Sequence, residues 1–290
     1  MIPAAFEYHR PATLEEALRL LQELPDAKVL AGGHSLLPMM KLRLLSPAHI
    51  IDLGRLPGLQ HITREGDTVA IGALATHWML ESSALLGREV PVLAQTASRV
   101  GDVQVRNVGT IGGSLAHADP AADYPAAMLA LEAELIAQGP HGRRTIRAAE
   151  FFTGFFATAL SADELLVELR IPIAADMGGA YLKFPHPASG FAVVGVAALV
   201  GVTGGVIDRL RVGITGVGPA GYRATGVEDA LRGQPAEPAA IAAASERAAD
   251  GIEVNEDIFA TADYRAHLSR VYTKRAITLA LERAQTGKQG

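Results

Sequence analysis

Two short segments carry the residue types best suited to holding a phosphorylated ligand. Ala31-Gly32-Gly33-His34-Ser35, followed by Leu36, puts a double glycine at the end of a short apolar strand. Without Cβ atoms the backbone can approach a ligand closely, and successive N–H groups can form a nest for phosphate oxygens. Ser35 adds a hydroxyl donor. Alone, the segment reads equally well as a tight turn. Thr110-Ile111-Gly112-Gly113-Ser114 repeats the chemistry much farther along the chain. Two Thr/Ser-flanked Gly-Gly segments are what clamping a pyrophosphate from both sides requires, which favours a nucleotide-like cofactor without saying which one. Neither segment carries a P-loop lysine, and no G-x-x-x-x-G-K-[ST] occurs.

Other motifs are weaker. Asp123 follows the second segment and could accept hydrogen bonds from ribose or ribityl hydroxyls, or compensate the dipole of the helix it opens. Gly216-Val-Gly-Pro-Ala-Gly221 matches G-x-G-x-x-G, but only a short helix follows and no second parallel strand ending in an acid. It reads as a glycine-rich turn. His117-Ala-Asp119 suggests a metal pair, yet the other histidines are scattered and no H-x-x-x-H occurs, so no metal site is expected. Ser114 with His117 is the best hydrolase-like pair, and it lacks a strand–elbow–helix setting.

The elements that position these residues fit 290 residues divided into two or three units with real cores. A formal net charge of −5 and a pI near 6.0 argue against nucleic-acid binding. The absence of cysteine excludes disulfides, thiolate zinc sites and iron–sulfur clusters held by this chain. Charged residues make up 20%, a light hint of surface buried against partners. Met1 to Pro11 has no signal-peptide character, which with the missing cysteines suggests the cytoplasm. Residues 187–207 contain no charge, but their glycines and valines read as two long strands joined by a turn, not an integral membrane span.

The first segment, to about Asp52, predicts a small α/β unit, with Thr13 and Glu16 as a capping box before a helix. A second runs to about Pro172. Its strand at Thr68 precedes helices from Thr76 and Pro91, a glycine-punctuated loop through Gly101, Gly109, Gly112 and Gly113, a helix from Asp123 to Leu131, and a hairpin around Gly139-Pro-His-Gly. The third has long antiparallel strands, then helices from Gly226, Pro238 and Asp263, an α+β pattern.

The chain resembles, over essentially its whole length, the medium flavoprotein subunits of the molybdenum hydroxylase (xanthine oxidase) family, in particular the carbon monoxide dehydrogenase type. The resemblance rests on FEYHRPATLEEAL, AGGHSLLPMMKLRL, HIIDLGRL, VGDVQVRNVGTIGGSLAHADPAADYPA, DELLVELRIP and AYLKFPHPASGFAVVGVAA. It implies an α+β fold: a two-part FAD-binding domain of the PCMH, or vanillyl-alcohol-oxidase, type over residues 1–175, with parts at about 1–52 and 53–175. The family's C-terminal flavoprotein domain, an antiparallel sheet with helices, would follow over 176–290. It further implies that Ala31 to Leu36 and Thr110 to Ser114 are the FAD pyrophosphate loops. By the same resemblance Asp123 contacts the ribityl chain, Val100 lines the site, Leu166 offers a backbone contact near the adenine, and Lys183 lies near the flavin. Phe191 stands where close relatives place a tyrosine, keeping the packing surface and losing the hydroxyl.

The implied function is electron transfer. A large partner subunit would carry molybdopterin and a small one two 2Fe–2S clusters, in a dimer of heterotrimers, with FAD here passing electrons to NAD, a quinone or another acceptor. No acid, base or nucleophile of this chain would activate the substrate. A bulky residue at Gly33 or Gly113 would then remove flavin before fold. The missing cluster-binding cysteines disfavour the benzoyl-CoA-reducing branch. The alternatives are a self-contained flavin reductase similar to UDP-N-acetylenolpyruvoylglucosamine reductase, whose catalytic serine and substrate pocket have no signature here, and a flavin-binding assembly module without turnover.

Overall fold

The computed structural model describes residues 1–286. Its first unit is a parallel sheet of order β1-β3-β2, formed by β1 (Glu7–His9), β2 (Ala27–Leu30) and β3 (His49–Asp52). Helix α1 (Leu14–Glu23) connects β1 to β2 and buries Ala17 and Leu18 in a core with Ile51. Its start follows the capping pattern: Thr13 Oγ1 accepts from the Glu16 N–H at 3.2 Å, and the Glu16 carboxylate accepts from the Ala12 N–H at 2.8 Å. Helix α2 (Leu36–Lys41) begins directly after the first double glycine.

The second unit is an antiparallel sheet of order β4-β5-β10-β6-β7. Its strands are β4 (Ile62–Glu65), β5 (Thr68–Gly72), β6 (Glu134–Gly139), β7 (Gly142–Arg147) and, after the small hairpin β8 (Phe152–Gly154) and β9 (Ala157–Thr158), β10 (Leu165–Pro172). The β10 register shifts between Leu166 and Glu168. This bulge sends Leu165 and Val167 into the core shared with α1, and Leu169 and Ile171 into the core under the helices. Those helices run from β5 to β6: α3 (His77–Ser82), α4 (Ala84–Glu89), α5 (Pro91–Ala97), α6 (Val103–Val108), α7 (Ile111–His117) and α8 (Tyr124–Ala130). The one-turn α9 (Ala148–Phe151) follows β7.

The region expected as a glycine-punctuated loop is therefore mostly helical. Val103-Gln-Val-Arg-Asn-Val has β-branched residues and α7 contains two glycines, both poor helix formers. Caps override these preferences: Asp102 Oδ1 accepts from the Val105 N–H at 2.9 Å, and Thr110 Oγ1 from the Gly113 N–H at 3.1 Å.

The third unit is an antiparallel sheet of β11 (Gly178–Pro185), β12 (Ala192–Thr203), β13 (Val206–Thr215) and β14 (Tyr222–Arg223), in that order. Helices α10 (Thr225–Leu231), α11 (Pro238–Ser245) and α12 (Ala262–Thr286) follow. Strands β12 and β13 join through Gly204 and Gly205, whose φ values of +60° and +81° need glycine. Residues 192–202 of β12 are all buried. Val194, Val196, Ala198 and Val200 join the core with α12, while Ala197 and Leu199 join the core of the second unit. Burial on both faces accounts for the charge-free run. Among the described residues no helix is long and apolar enough to cross a membrane. Gly216 is a turn at φ +84° whose carbonyl accepts from the buried Arg265 at 2.8 Å, so the G-x-G-x-x-G match is structural.

Helix α8 joins the second and third units. All seven of its residues are buried, and it packs on β12, β13 and β14. Gly213 of β13 makes this possible, since a Cβ there would lie 2.0 Å from the Ala126 carbonyl oxygen. The Thr215 hydroxyl lies 2.8 Å from the carbonyl oxygens of both Pro120 and Ala122, fixing the turn that leads into α8.

Candidate functional site

The two glycine segments meet on one cavity of about 660 Å³, the size of a cofactor pocket. Ala31 to Ser35 leave β2, and Thr110 to Ser114 open α7. They touch: a Cβ on Gly32 would lie 2.7 Å from the Gly109 Cα, and one on Gly113 would lie 3.5 Å from the Ala31 Cβ. Ala31, Gly32, Gly33, His34, Ser35 and Leu36 all line the cavity, as do Thr110, Gly112, Gly113 and Ser114.

The two segments offer different groups. No described residue accepts from the N–H groups of Gly32, Gly33, His34 or Ser35, giving four consecutive free donors on the cavity wall. In the second segment the four N–H groups from Ile111 to Ser114 are all taken. Ile111 N–H donates to the Ala75 carbonyl at 3.0 Å, Gly112 to Ala73 at 2.8 Å, Gly113 to Thr110 Oγ1 at 3.1 Å, and Ser114 to the Thr110 carbonyl at 3.0 Å. The expected second backbone nest is thus closed by the β5–α3 connection. Among the groups left there is the Ser114 hydroxyl, half-buried on the cavity wall and without a partner among the described residues, as is that of Ser35.

The glycines are required by the protein itself. Gly33 has φ +76°, and its Cβ would meet Leu37 Cδ1 at 2.9 Å. A Cβ on Gly113 would crowd Thr110 Oγ1 at 2.8 Å, and one on Gly112 the Ala73 carbonyl oxygen at 2.6 Å. Bulky residues at Gly33 or Gly113 would therefore disturb the fold along with ligand binding, contrary to the expectation from sequence.

Asp123 lies at the mouth of α8 on the cavity wall, 4% exposed. It is the N-cap residue of α8, but its side chain makes no capping bond. Its carboxylate accepts from Tyr181 Oη at 2.6 Å and pairs with Lys183 Nζ at 2.8 Å, both on β11 of the third unit. Burial raises the Asp123 pKa, and the Lys183 ammonium opposes that rise. Lys183 Nζ also donates to the Arg99 and Gly190 carbonyls at 2.6 and 2.8 Å. Gly190, at φ +73°, precedes Phe191, which is 43% exposed and lines the cavity. Val100 and Leu166 line it too, Leu166 at the β10 bulge. Lys183 and Ile111 stand behind the wall: Ile111 is core, and Lys183 reaches the cavity only through Asp123 and the Phe191 turn.

Sequence reasoning passed over His77 and Glu164. His77 follows the Thr76 cap, lines the cavity, and holds the second segment through its N–H to the Gly109 carbonyl at 3.0 Å. Its Nδ1 lies 2.8 Å from Tyr124 Oη at the start of α8. Burial, with His34 and Arg106 nearby, pushes its pKa down to about 4, so it is neutral at pH 7. Glu164 forms a two-pronged pair with Arg144 at 2.6 and 2.7 Å and accepts from the Ser161 N–H, which holds its pKa down at about 2 and fixes the cavity rim. The signal for His77 lay in Thr76 as a cap directly before it. His117 packs 5.0 Å from Phe156, ring to ring, and Asp119 accepts from the Ala121 N–H.

A family model described as the FAD binding domain in molybdopterin dehydrogenase matches residues 4–174, and one for the CO dehydrogenase flavoprotein C-terminal domain matches residues 179–280. The chain is an FAD-binding medium subunit of the molybdenum hydroxylase family. Such a subunit is the flavoprotein component of an oxidoreductase, and its fold is the PCMH-type FAD-binding domain followed by the flavoprotein C-terminal domain. It is 42% identical to the carbon monoxide dehydrogenase medium chain of Hydrogenophaga pseudoflava, over 98% of this chain and 99% of that one. It is 36% identical to subunit alpha of the 6-hydroxypseudooxynicotine dehydrogenase complex of Paenarthrobacter nicotinovorans, over 100% and 99% of the two. A solved structure of Hydrogenophaga pseudoflava carbon monoxide dehydrogenase lacking the Mo-pyranopterin moiety superposes with a TM-score of 0.95 at 44% identity, covering 98% of this chain and 99% of that one. The site of this flavoprotein subunit fits FAD: free backbone donors and two hydroxyls for a pyrophosphate, and a buried acid beside an exposed aromatic ring.

Proposed function

We propose that this chain is the flavin relay of a molybdenum hydroxylase, a one-cofactor component of a three-subunit enzyme. The single observation that carries this reading is the row of four unpartnered N–H groups, Gly32 to Ser35, on the wall of a cavity formed by both glycine segments. Those donors and the hydroxyls of Ser35 and Ser114 would hold the FAD pyrophosphate, with Leu36, Thr110, Gly112 and Gly113 forming its bed. Asp123 would accept from the ribityl chain, Val100 and Phe191 would pack near the ring system, and the Leu166 backbone near the adenine. Ile111 and Lys183 would support these contacts from behind. The redox chemistry is the cofactor's: electrons taken from 2Fe–2S clusters on a small partner subunit and released to NAD, a quinone or another acceptor.

This chain's residues bind, orient and shield. None serves as acid, base or nucleophile toward the substrate, which is oxidised at molybdopterin on a large subunit. The whole assembles as a cytoplasmic dimer of heterotrimers, with residues 1–175 as the FAD-binding domain and 176–290 as the C-terminal one. Substrate added to the complex under anaerobic conditions should bleach the flavin band, and omitting the small subunit should prevent it. Steady-state oxidation of NADPH by the chain without partners, with an enolpyruvyl substrate as the electron acceptor, would favour a self-contained reductase. A band that never bleaches would make the chain an assembly module.

A further inference from the structure

The first sheet carries a second constellation, none of whose members lines the cavity. Parallel pairing sets Glu7 of β1 opposite His49 of β3, and His9 is two residues on from Glu7, hence on the same face. Glu7 Oε2, His9 Nε2 and His49 Nδ1 converge into a triangle with sides of 3.2 Å (His9 to His49), 3.5 Å (His49 to Glu7) and 3.9 Å (His9 to Glu7). The imidazoles are held by the fold, 23% and 16% exposed, while the carboxylate is 75% exposed. The rings are tilted by 48° with centroids 5.3 Å apart, so the nitrogens meet edge to edge instead of stacking. A tetrahedral ion with ligands at roughly 2.0–2.1 Å needs donor-to-donor distances of about 3.3–3.4 Å. Two of the three sides lie within about 0.2 Å of that value, and the exposed Glu7 can rotate to close the third.

We propose that Glu7, His9 and His49 bind one borderline divalent transition-metal ion, zinc or copper(II), leaving its remaining positions to solvent. Two imidazoles and one carboxylate suit such ions, whereas magnesium and calcium prefer oxygen throughout. On binding, the proton of the His9–His49 hydrogen bond passes to the other nitrogen of the donor ring, so both facing nitrogens offer lone pairs to the ion. It ties the edge strand β1 to β3, linking chain positions 40 residues apart. Because the three ligands converge only in the folded sheet, the ion stabilises the folded state by mass action.

The test is a titration of the full-length FAD-loaded chain, stripped with chelator, with zinc sulfate alone at about pH 7.5. One saturable equivalent per chain is expected, weakened about tenfold or more in His9→Ala and His49→Ala and several-fold in Glu7→Gln. His141→Ala, an exposed histidine in the β6–β7 turn, should bind as the unmodified chain does. One equivalent of copper(II) added to the unmodified chain should show electron-spin resonance coupling to two nitrogens. The absence of a saturable zinc site, unchanged affinity in folded Glu7→Gln and His49→Ala chains, or a copper spectrum without nitrogen coupling would each overturn the proposal. Should the histidine variants not fold, Glu7→Gln and the copper spectrum decide it.

Discussion

Gly32 lies directly against Gly109: a Cβ on Gly32 would come within 2.7 Å of the Gly109 Cα and 2.3 Å of the Val108 carbonyl oxygen. The two glycine segments are thus in backbone contact without a ligand between them, and the cavity wall is preformed. Gly32→Val should separate them, costing about 2 kcal/mol or more, visible as a lower melting temperature of the flavin-free chain. An unchanged melting temperature would mean that the contact is soft.

The hydroxyls give the cleaner separation of binding from folding. Ser35→Ala and Ser114→Ala remove hydroxyls without partners among the described residues, so the fold should tolerate both. Each should weaken FAD retention by about 1 kcal/mol, roughly five-fold. Equilibrium binding of FAD to the flavin-free variants checks this, and unchanged affinity in both would assign the pyrophosphate to the backbone donors alone.

Asp123→Asn should be among the most damaging single changes outside the glycines. It strands the Lys183 ammonium among the Arg99 and Gly190 carbonyls, at about 3–5 kcal/mol for an unpaired buried charge. Adding Lys183→Met should recover part of that loss in urea denaturation. Losses that simply add would argue against direct coupling.

Acid should weaken the protein in two windows. His77, whose pKa falls from 6.5 unfolded to about 4 folded, contributes stability fully present above pH 6.5 and lost as pH drops toward 4, up to about 3 kcal/mol. Glu164, lowered from 4.5 to about 2, loses its share between those values. Urea unfolding across a pH series should show both slopes. His77→Asn should flatten the upper one only.

Gly213→Leu tests the joint between units. Its side chain would push against the Ala126 carbonyl, and Asp123 stands at the head of the same helix. FAD affinity should fall together with the melting temperature although Gly213 lies outside the cavity. Stability lost with full FAD affinity would show that α8 can shift without moving Asp123.

Much of this was legible because it is local. Thr13 and Glu16 announce a helix, Gly204-Gly205 a hairpin, and alternating valines β12. The double glycines marked both cavity walls. What stayed hidden depends on partners far along the chain. The N–H groups of Ile111 and Gly112 are taken by Ala75 and Ala73, a fact set by tertiary contact. Tyr181 completes the Asp123 cluster from another sheet, and strand pairing brings His49 to His9 across residues that share no motif. The α6 helix was missed because the glycines on either side of it read as a loop, and one aspartate cap outweighed them.

Helix α8 has no side facing water, and its ends reach Asp123 on one unit and the β13 sheet on the other. The border between the two family regions therefore has no hinge. In evolutionary exchange among relatives, a C-terminal half taken from one subunit would bring a foreign Tyr181 and Lys183 against another's Asp123, and a foreign Gly213 against its α8, behind the cavity wall. The halves should be inherited as a matched pair, and chimeras joined near residue 175 should lose their flavin unless α8 travels with the sheet that covers it.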